Sequence, residues 1–224
     1  MSEHLKKEIQ KLTKMILSIS AMVEENVYNA LEAVDKGSVE LAQKVLKTDN
    51  EVDETEINIE EECLKILALH QPIAADLRFI ISMIKINQTL ERISDLARNI
   101  AERAIILSQS QKVNIPFNFA SMVGTTIWML NNSLNAFIKH DIELAKNICA
   151  KDDEVDKINR EMYDKIKQGI IEHPEYLDQM VNLLCISRNI ERIADHVVNI
   201  IEDIVYMIEG KIIRHNIKKY INEN

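Results

Sequence analysis

The chain is poor in helix breakers, with four glycines and three prolines in 224 residues. Sandwiches, barrels and wound sheets need turn residues at short intervals, so these classes are set aside. The same scarcity leaves no glycine-rich phosphate loop, because Gly37, Gly124, Gly169 and Gly210 are scattered. Cysteines are few and widely spaced. Cys63, Cys149 and Cys185 are an odd count without finger or redox spacing, and they read as small buried hydrophobes in a reducing cytosol. An excess of positive charge is missing too: 27 Lys and Arg face 36 Asp and Glu, a formal net charge of −9. That argues against broad nucleic-acid binding, which needs clustered cations. No apolar run follows the lysines of MSEHLKKEIQ, so no secretory signal is expected. One uncharged stretch, Val113 to Ile138, contains Pro116, Gly124 and five asparagines. A membrane span wants about 20 mostly apolar residues, and this stretch reads instead as a loop followed by a buried helix.

What is plentiful is Ile, Leu, Lys and Glu, in a chain 46% hydrophobic and 28% charged. This favours an all-α protein. Gly37-Ser38 ends a first helix that begins near Leu5. A second runs from about Ser38 to His70 and stops before Pro72, since the residue before proline avoids the helical region. A third is expected to start at Pro72 and continue past Glu102. The polar segment SQSQKVNIP then reads as a linker. A fourth helix covers roughly Phe117 to Lys139 and breaks at His140-Asp141, with Asp141 as N-cap of the fifth. The fifth runs to about Glu172, before Pro174. The sixth ends at Gly210, a C-terminal cap.

Three helices, a linker and three helices suggest duplication. LEAVDKGSVELA (31–42) aligns with LNAFIKHDIELA (134–145) at an offset of 103, as DNEVD (49–53) does with DDEVD (152–156). ERISDLARNIAE (91–102) returns as ERIADHVVNIIE (191–202) at an offset of 100, with seven of twelve positions kept. The fold expected is two tandem three-helix bundles related by a pseudo-twofold axis, elongated because helices of about thirty residues reach roughly 45 Å. The divisions are 1–108 for the first repeat, 109–116 for the linker, 117–210 for the second repeat and 211–224 for a polar tail. Val45, Val52, Ile59 and Ile66 recur every seven residues and mark the seam of the second helix.

The retained acids are the candidate site. At 100° per residue, Asp49, Asp53 and Glu56 lie within about 80° of Val45, on the edge of the apolar stripe. Glu91, Asp95 and Glu102 flank the stripe of the third helix, with Asn99 beside them. Asp152, Asp156, Glu191, Asp195, Asn199 and Glu202 repeat the layout. A spacing of four sets two carboxylates on one face, where like charges cost about 0.2–0.5 kcal/mol per pair. A hard cation reverses that sign, and oxygen-only ligands suit Mg, Ca, Mn and the harder state of iron. Metal binding is therefore expected at these faces.

Other chemistries find little support. None of His4, His70, His140, His173, His196 and His215 has a glutamate three positions before it, as a ferritin-like di-metal site requires. No nucleophile has a recognisable base and oxyanion partner, so no enzyme activity is expected. His196 reads as a helix-surface histidine, since its counterpart is Leu96. The uncharged fourth helix and Trp128 read as core, with a dimer surface as the alternative.

DNEVDETEINIEEECLKILALHQPIAADLRFI (49–80), LERISDLARNIAERA (90–104), DDEVDKI (152–158) and IERIADHVVNIIEDIVYMIEGKIIRH (190–215) together resemble the PhoU family of phosphate-uptake regulators, over nearly the whole chain. The resemblance implies two similar three-helix bundles. In some members a carboxylate-x-x-x-Asp motif holds multinuclear iron or other metal clusters, and other members carry none. Carried to matching positions, the ligands are Asp49, Asp53, Glu91, Asp95, Asp152, Asp156, Glu191 and Asp195, with Asn99 and Asn199 as further candidates and Fe, Mn, Mg or Zn as the metal. It also implies a cytoplasmic negative regulator of phosphate uptake and phosphate-starvation signalling. Such a regulator links the ATPase subunit of a phosphate ABC transporter to a phosphate-sensing histidine kinase; a homodimer is expected, with no nucleic acid and with membrane contact only through partners. The alternatives are regulation of a low-affinity phosphate carrier or of metal homeostasis, and, from another class, a metal store or metal-dependent phosphatase. The family usually has glycine before the motif aspartate; here Ser94 and Ala194 stand there.

Overall fold

The computed structural model describes residues 3–110, 119–214 and Tyr220. Six long helices account for nearly all of them: α1 (Glu3–Lys36), α2 (Val39–His70), α3 (Ala74–Ser108), α4 (Phe119–Lys139), α5 (Ile142–Glu172) and α6 (Leu177–Glu209). A single 3-10 turn at Pro174–Tyr176 precedes α6. α1, α2 and α3 pack on one another, and so do α4, α5 and α6. The two bundles join along α3 and α6, with a lesser contact between α1 and α4. α1 alone, at 34 residues, is about 51 Å long, so the molecule is elongated.

The caps explain the boundaries. The Ser38 side chain accepts from Leu41 N, and the Asp141 side chain accepts from Leu144 N at 2.9 Å. Just before each cap the chain turns through the left-handed region, at Gly37 (φ 64) and at His140 (φ 53). Ser38 N then donates to Ala33 O at 3.1 Å, and Asp141 N donates to Ala136 O at 3.0 Å. These two turns are the same structure built at an offset of 103. Gly210 (φ 72) closes α6 by donating to Tyr206 O at 2.9 Å. The third helix departs from expectation. It begins at Ala74, not Pro72, because Gln71 and Ala74 both take positive φ around the proline and Ile73 is extended.

The core is aliphatic. Val45, Val52, Ile59 and Ile66 are all buried on the α2 seam. Ile86, Leu90, Ile93, Ala97 and Ile100 are buried on α3, as are Ile186, Ile190, Ile193, Val197 and Ile200 at an offset of 100 on α6. Each bundle also ties its second helix to its third through a polar pair inside this core. Asn87 Nδ2 donates to Glu56 O at 2.8 Å, and Ser187 Oγ donates to Asn159 Oδ1 at 2.7 Å. Glu56 and Asn159 are related by 103 and Asn87 and Ser187 by 100, so the same positions join the second and third helices in both bundles, through a backbone carbonyl in one and a side-chain amide in the other.

α4 buries Met122, Met129 and Phe137 on one face and leaves Trp128 and Ile138 exposed on the other. No helix among the described residues is long and apolar enough to cross a membrane. Residues 111–118, including Pro116 and Phe117, lie outside the described residues, as does His215. Beyond α6 the chain is not wholly polar: Ile213 and Tyr220 pack on Val205, and the Tyr220 hydroxyl donates to Glu209 Oε1 at 2.9 Å.

Candidate functional site

The acidic faces form where α2 meets α3 and where α5 meets α6, because the register that pairs Asn87 with Glu56 also sets the DNEVD turns of α2 beside the ERISD turns of α3. Asp49 is the innermost of the first set at 2% exposure. Asp53 and Asn99 are exposed, and Glu91 and Asp95 are half-buried. Burial pushes the Asp49 carboxyl above its ordinary range; the neighbouring charges of Asp53 and Asp95 push the same way, against a hydrogen bond from Ser94 and the charge of Arg98. Glu91 is raised by burial, then by Asp95, with Asp53 and Glu56 adding to it. These mutual effects mean that carboxylates of α2 and α3 share one electrostatic neighbourhood.

In the second set Asp152, Asp156 and Glu191 are half-buried, while Asp195 and Asn199 are exposed. Glu191 is raised by burial, then by Asp195 and Asp156; Asp195, although much of its surface is open to solvent, is raised by desolvation against the neighbouring helices, then by Asp156. The crowding is the same as in the first half.

Arginines lie among the acids. Arg92 Nε is 3.4 Å from Glu91 Oε2, and Arg92 Nη1 is 3.5 Å from Asp95 Oδ2. Arg98 Nη1 is 3.5 Å from Asp49 Oδ2, and Arg160 Nη1 is 3.5 Å from Asp156 Oδ2. Among the described residues no three His, Cys, Asp or Glu side chains converge closely enough to hold a metal ion. The ten candidate side chains are spread over two faces, with arginines standing among them.

The donor chemistry nonetheless suits a hard cation. Asp156, Glu191 and Asp195 crowd one another, although Asp156 already faces Arg160. Asp49 fits less well, with Oδ1 accepting from Ser94 Oγ at 2.8 Å and Oδ2 facing Arg98. Burial pushes Cys63 and Cys149 up to about 12, which keeps them protonated.

Sequence reasoning missed a cleft of about 680 Å³ between the bundles, lined by Lys85, Glu91, Arg92, His196, Asn199 and Glu202 among others. His196 is not the surface residue expected. It is half-buried in this cleft, and burial, then the charges of Arg192 and Arg92, lower its pKa. The cleft floor is pinned by Lys85 Nζ, 3.0 Å from Asp203 Oδ1, and by Ser82 Oγ donating to Asp203 O at 3.2 Å. The buried positions of Asn26 and Ser94 were missed as well. Their signal was a polar residue inside an apolar stripe.

Comparison with known proteins agrees over most of the chain. The family model described as the PhoU domain matches residues 16–104 and 119–204. The phosphate-specific transport system accessory protein PhoU homolog of Aquifex aeolicus is 37% identical over 209 residues, covering 93% of this chain and 95% of the relative. The homolog from Pseudomonas aeruginosa is 33% identical, covering 96% and 89%. The crystal structure of PhoU from Pseudomonas aeruginosa superposes with a TM-score of 0.88 at 32% identity, over 92% of this chain and 99% of that one. The phosphate transport system regulatory protein PhoU from Streptococcus pneumoniae superposes with a TM-score of 0.83 at 28% identity, over 93% and 98%.

Proposed function

The chain belongs to the PhoU family, and from that premise we propose that it is a negative regulator of phosphate uptake and phosphate-starvation signalling. It acts in the cytoplasm, without catalysis of its own, as an adaptor between the ATPase subunit of a high-affinity phosphate ABC transporter and a phosphate-sensing histidine kinase. The observation that carries this reading is the extent of the match. Both repeats are present, and the relatives that are covered almost end to end are named as accessory or regulatory proteins of phosphate transport.

The acidic faces are proposed as metal-capable surfaces. Bound there, a hard cation would neutralise crowded carboxylates. Asp156, Glu191 and Asp195 would supply oxygens, with Asp152 and Asn199 beside them. On the first face the candidates are Asp49, Asp53, Glu91, Asp95 and Asn99. What this chain's own residues do is hold those oxygens on rigid helices, where the charge presented to a partner depends on what neutralises them. A homodimer is part of the proposal.

The test is a deletion strain grown in high phosphate. Starvation genes should stay on, or uptake should go unrestrained. Unchanged uptake and unchanged gene expression would falsify the reading. Capture of the transporter ATPase and the kinase by the full chain, with and without divalent metal, tests the adaptor role separately.

A further inference from the structure

α4 differs from the other five helices in carrying no charge from Phe119 to Ile138, in a chain that is 28% charged. Its outward residues keep helical spacing: Ala120, Gly124, Trp128, Asn131 and Asn135 are all exposed. This stripe borders a groove of about 470 Å³ between α4 and α1. The groove is lined by Tyr28 and Leu31 of α1 and by Phe119, Val123, Gly124 and Ile127 of α4. Glu32 and Asp35 of α1 are the charged residues of its wall among those described. Above Gly124 the space is open: a Cβ added there would meet nothing within 4 Å among the described residues. Trp128, one turn further along, is the only tryptophan of the chain and is exposed.

This face is suited to a second copy of the same chain. Each copy carries a formal net charge of −9, so most contacts between copies set negative surface against negative surface. A helix face without charge avoids that cost. Interface centres are poor in charge and rich in aromatic side chains, and tryptophan is prominent among those that carry binding energy. An indole is an apolar body with a single N–H donor. The groove answers both parts, with an apolar lining and with carboxylates at Glu32 and Asp35 to accept from a buried N–H. Glu32 is paired with Lys36 on its own helix, so Asp35 is the expected acceptor. A two-fold contact is self-complementary, so a knob and its hole must lie on one surface. Trp128 and Gly124, four residues apart on one stripe, meet that condition.

We propose that two copies of this chain pair through antiparallel α4 helices, with Trp128 of each copy seated in the α1–α4 groove over the partner's Gly124. A two-fold axis crossing α4 midway between Gly124 and Trp128 makes both insertions at once and sets Ala120 opposite the partner's Asn132. The small Ala120 and Gly124 let the two helices approach closely. The inference rests on the homodimer reading above and names the surface that forms it.

The test uses the full chain. Sedimentation velocity over a dilution series gives the mass, and fluorescence from Trp128, the sole indole, reports on the contact itself. The wild type is expected to be a dimer that dissociates on dilution. As it does so, its emission should move to longer wavelength and become more open to acrylamide quenching. Gly124→Glu sets a charge over the groove at a position where a Cβ meets nothing. It also replaces a glycine inside a helix by a better helix former, so the monomer should melt no lower. This variant is expected to self-associate about tenfold or more weakly, and to show the monomer's emission at concentrations where the wild type is paired. A Gly124→Glu protein that dimerises like the wild type overturns the interface while the homodimer stands. So does dissociation of the wild type without a change in Trp128 emission. A wild type that is monomeric at every concentration overturns the homodimer and the interface together.

Discussion

Gly210 lies against the guanidinium of Arg78: a Cβ added at Gly210 would stand 3.4 Å from Arg78 Nε. Arg78 belongs to the QPIAADLR segment at the start of α3, and Gly210 closes α6, so the contact stitches the first bundle to the last turn of the second. The place suits a cation, because the end of α6 carries partial negative charge from its last carbonyls. Gly210→Ala should destabilise the protein by about 1 kcal/mol, chiefly because φ of 72° is strained for any residue with a Cβ. A melting temperature unchanged by this substitution would show that the α6 terminus is not held in this conformation.

The matching turns at Gly37 and His140 allow the reverse experiment. Both take positive φ, but only one is glycine. His140→Gly should relieve left-handed strain of about 1–2 kcal/mol while adding unfolded-chain entropy of about 0.4–1 kcal/mol. The net gain in stability should be about 0.5–1 kcal/mol, read from denaturant midpoints. A loss would mean that the histidine side chain makes a compensating contact at the turn.

Acidification gives a prediction with a definite sign. Burial, and then neighbouring carboxylates, raise the pKa of Glu91, Glu191 and Asp195. A carboxyl raised in the folded state binds its proton more readily when folded. Its charge therefore costs stability as pH rises through the folded value, and that stability is regained as pH falls toward the unfolded values of 4.5 for Glu and 3.8 for Asp. His196 acts in opposition. Its lowered value makes protonation unfavourable in the fold, so it loses stability as pH falls below 6.5. In chelator, Glu191→Gln with Asp195→Asn should lower the melting temperature at pH 5 relative to the wild type's own change from pH 7, and His196→Leu should raise it. Parallel curves for all three proteins would contradict these assignments.

Much of the architecture was legible because its signals are local. Heptad spacing on α2, Asp141 as cap, and the Gly210 stop are each written within a turn or two of chain. The acidic faces were partly legible. A helical wheel puts Asp49 nearer the α2 apolar stripe than Asp53, and in the structure Asp49 is buried and Asp53 exposed. What no wheel contains is which residue of another helix faces a given acid. Ser94 was visible as a departure from glycine, but its bond to Asp49 depends on the register of α3 against α2, and its support by Asn26 depends on the placing of α1. His196 failed for a similar reason. One bundle offers it a surface, and only the docking of α6 on α3 turns that surface into the wall of a cleft. The late start of α3 was hidden because left-handed Gln71 and Ala74 have none of the glycine that usually announces such a turn.

The junction of the bundles supplies the last prediction. Asp203 is 7% exposed, with Lys85 Nζ at 3.0 Å and Arg214 Nη2 at 4.0 Å. Lys85 also lies over the Tyr206 ring, 5.1 Å from its centroid. Burial raises the Asp203 carboxyl even against the pull of these cations, so the ion is tolerated only because it is paired. Lys85→Met keeps the length of the stem and removes the charge, leaving a buried carboxylate short of its nearest partner. This should cost about 1–3 kcal/mol. Adding Asp203→Asn should return part of that loss, because an amide has no charge to strand. The double-mutant cycle in urea measures the coupling. If the two losses simply add, Lys85 and Asp203 do not act as a pair, and the docking of α3 on α6 rests on its apolar contacts and on Ser82 and Arg103, whose hydrogen bonds reach Asp203 O and Asn182 Oδ1 across the same junction.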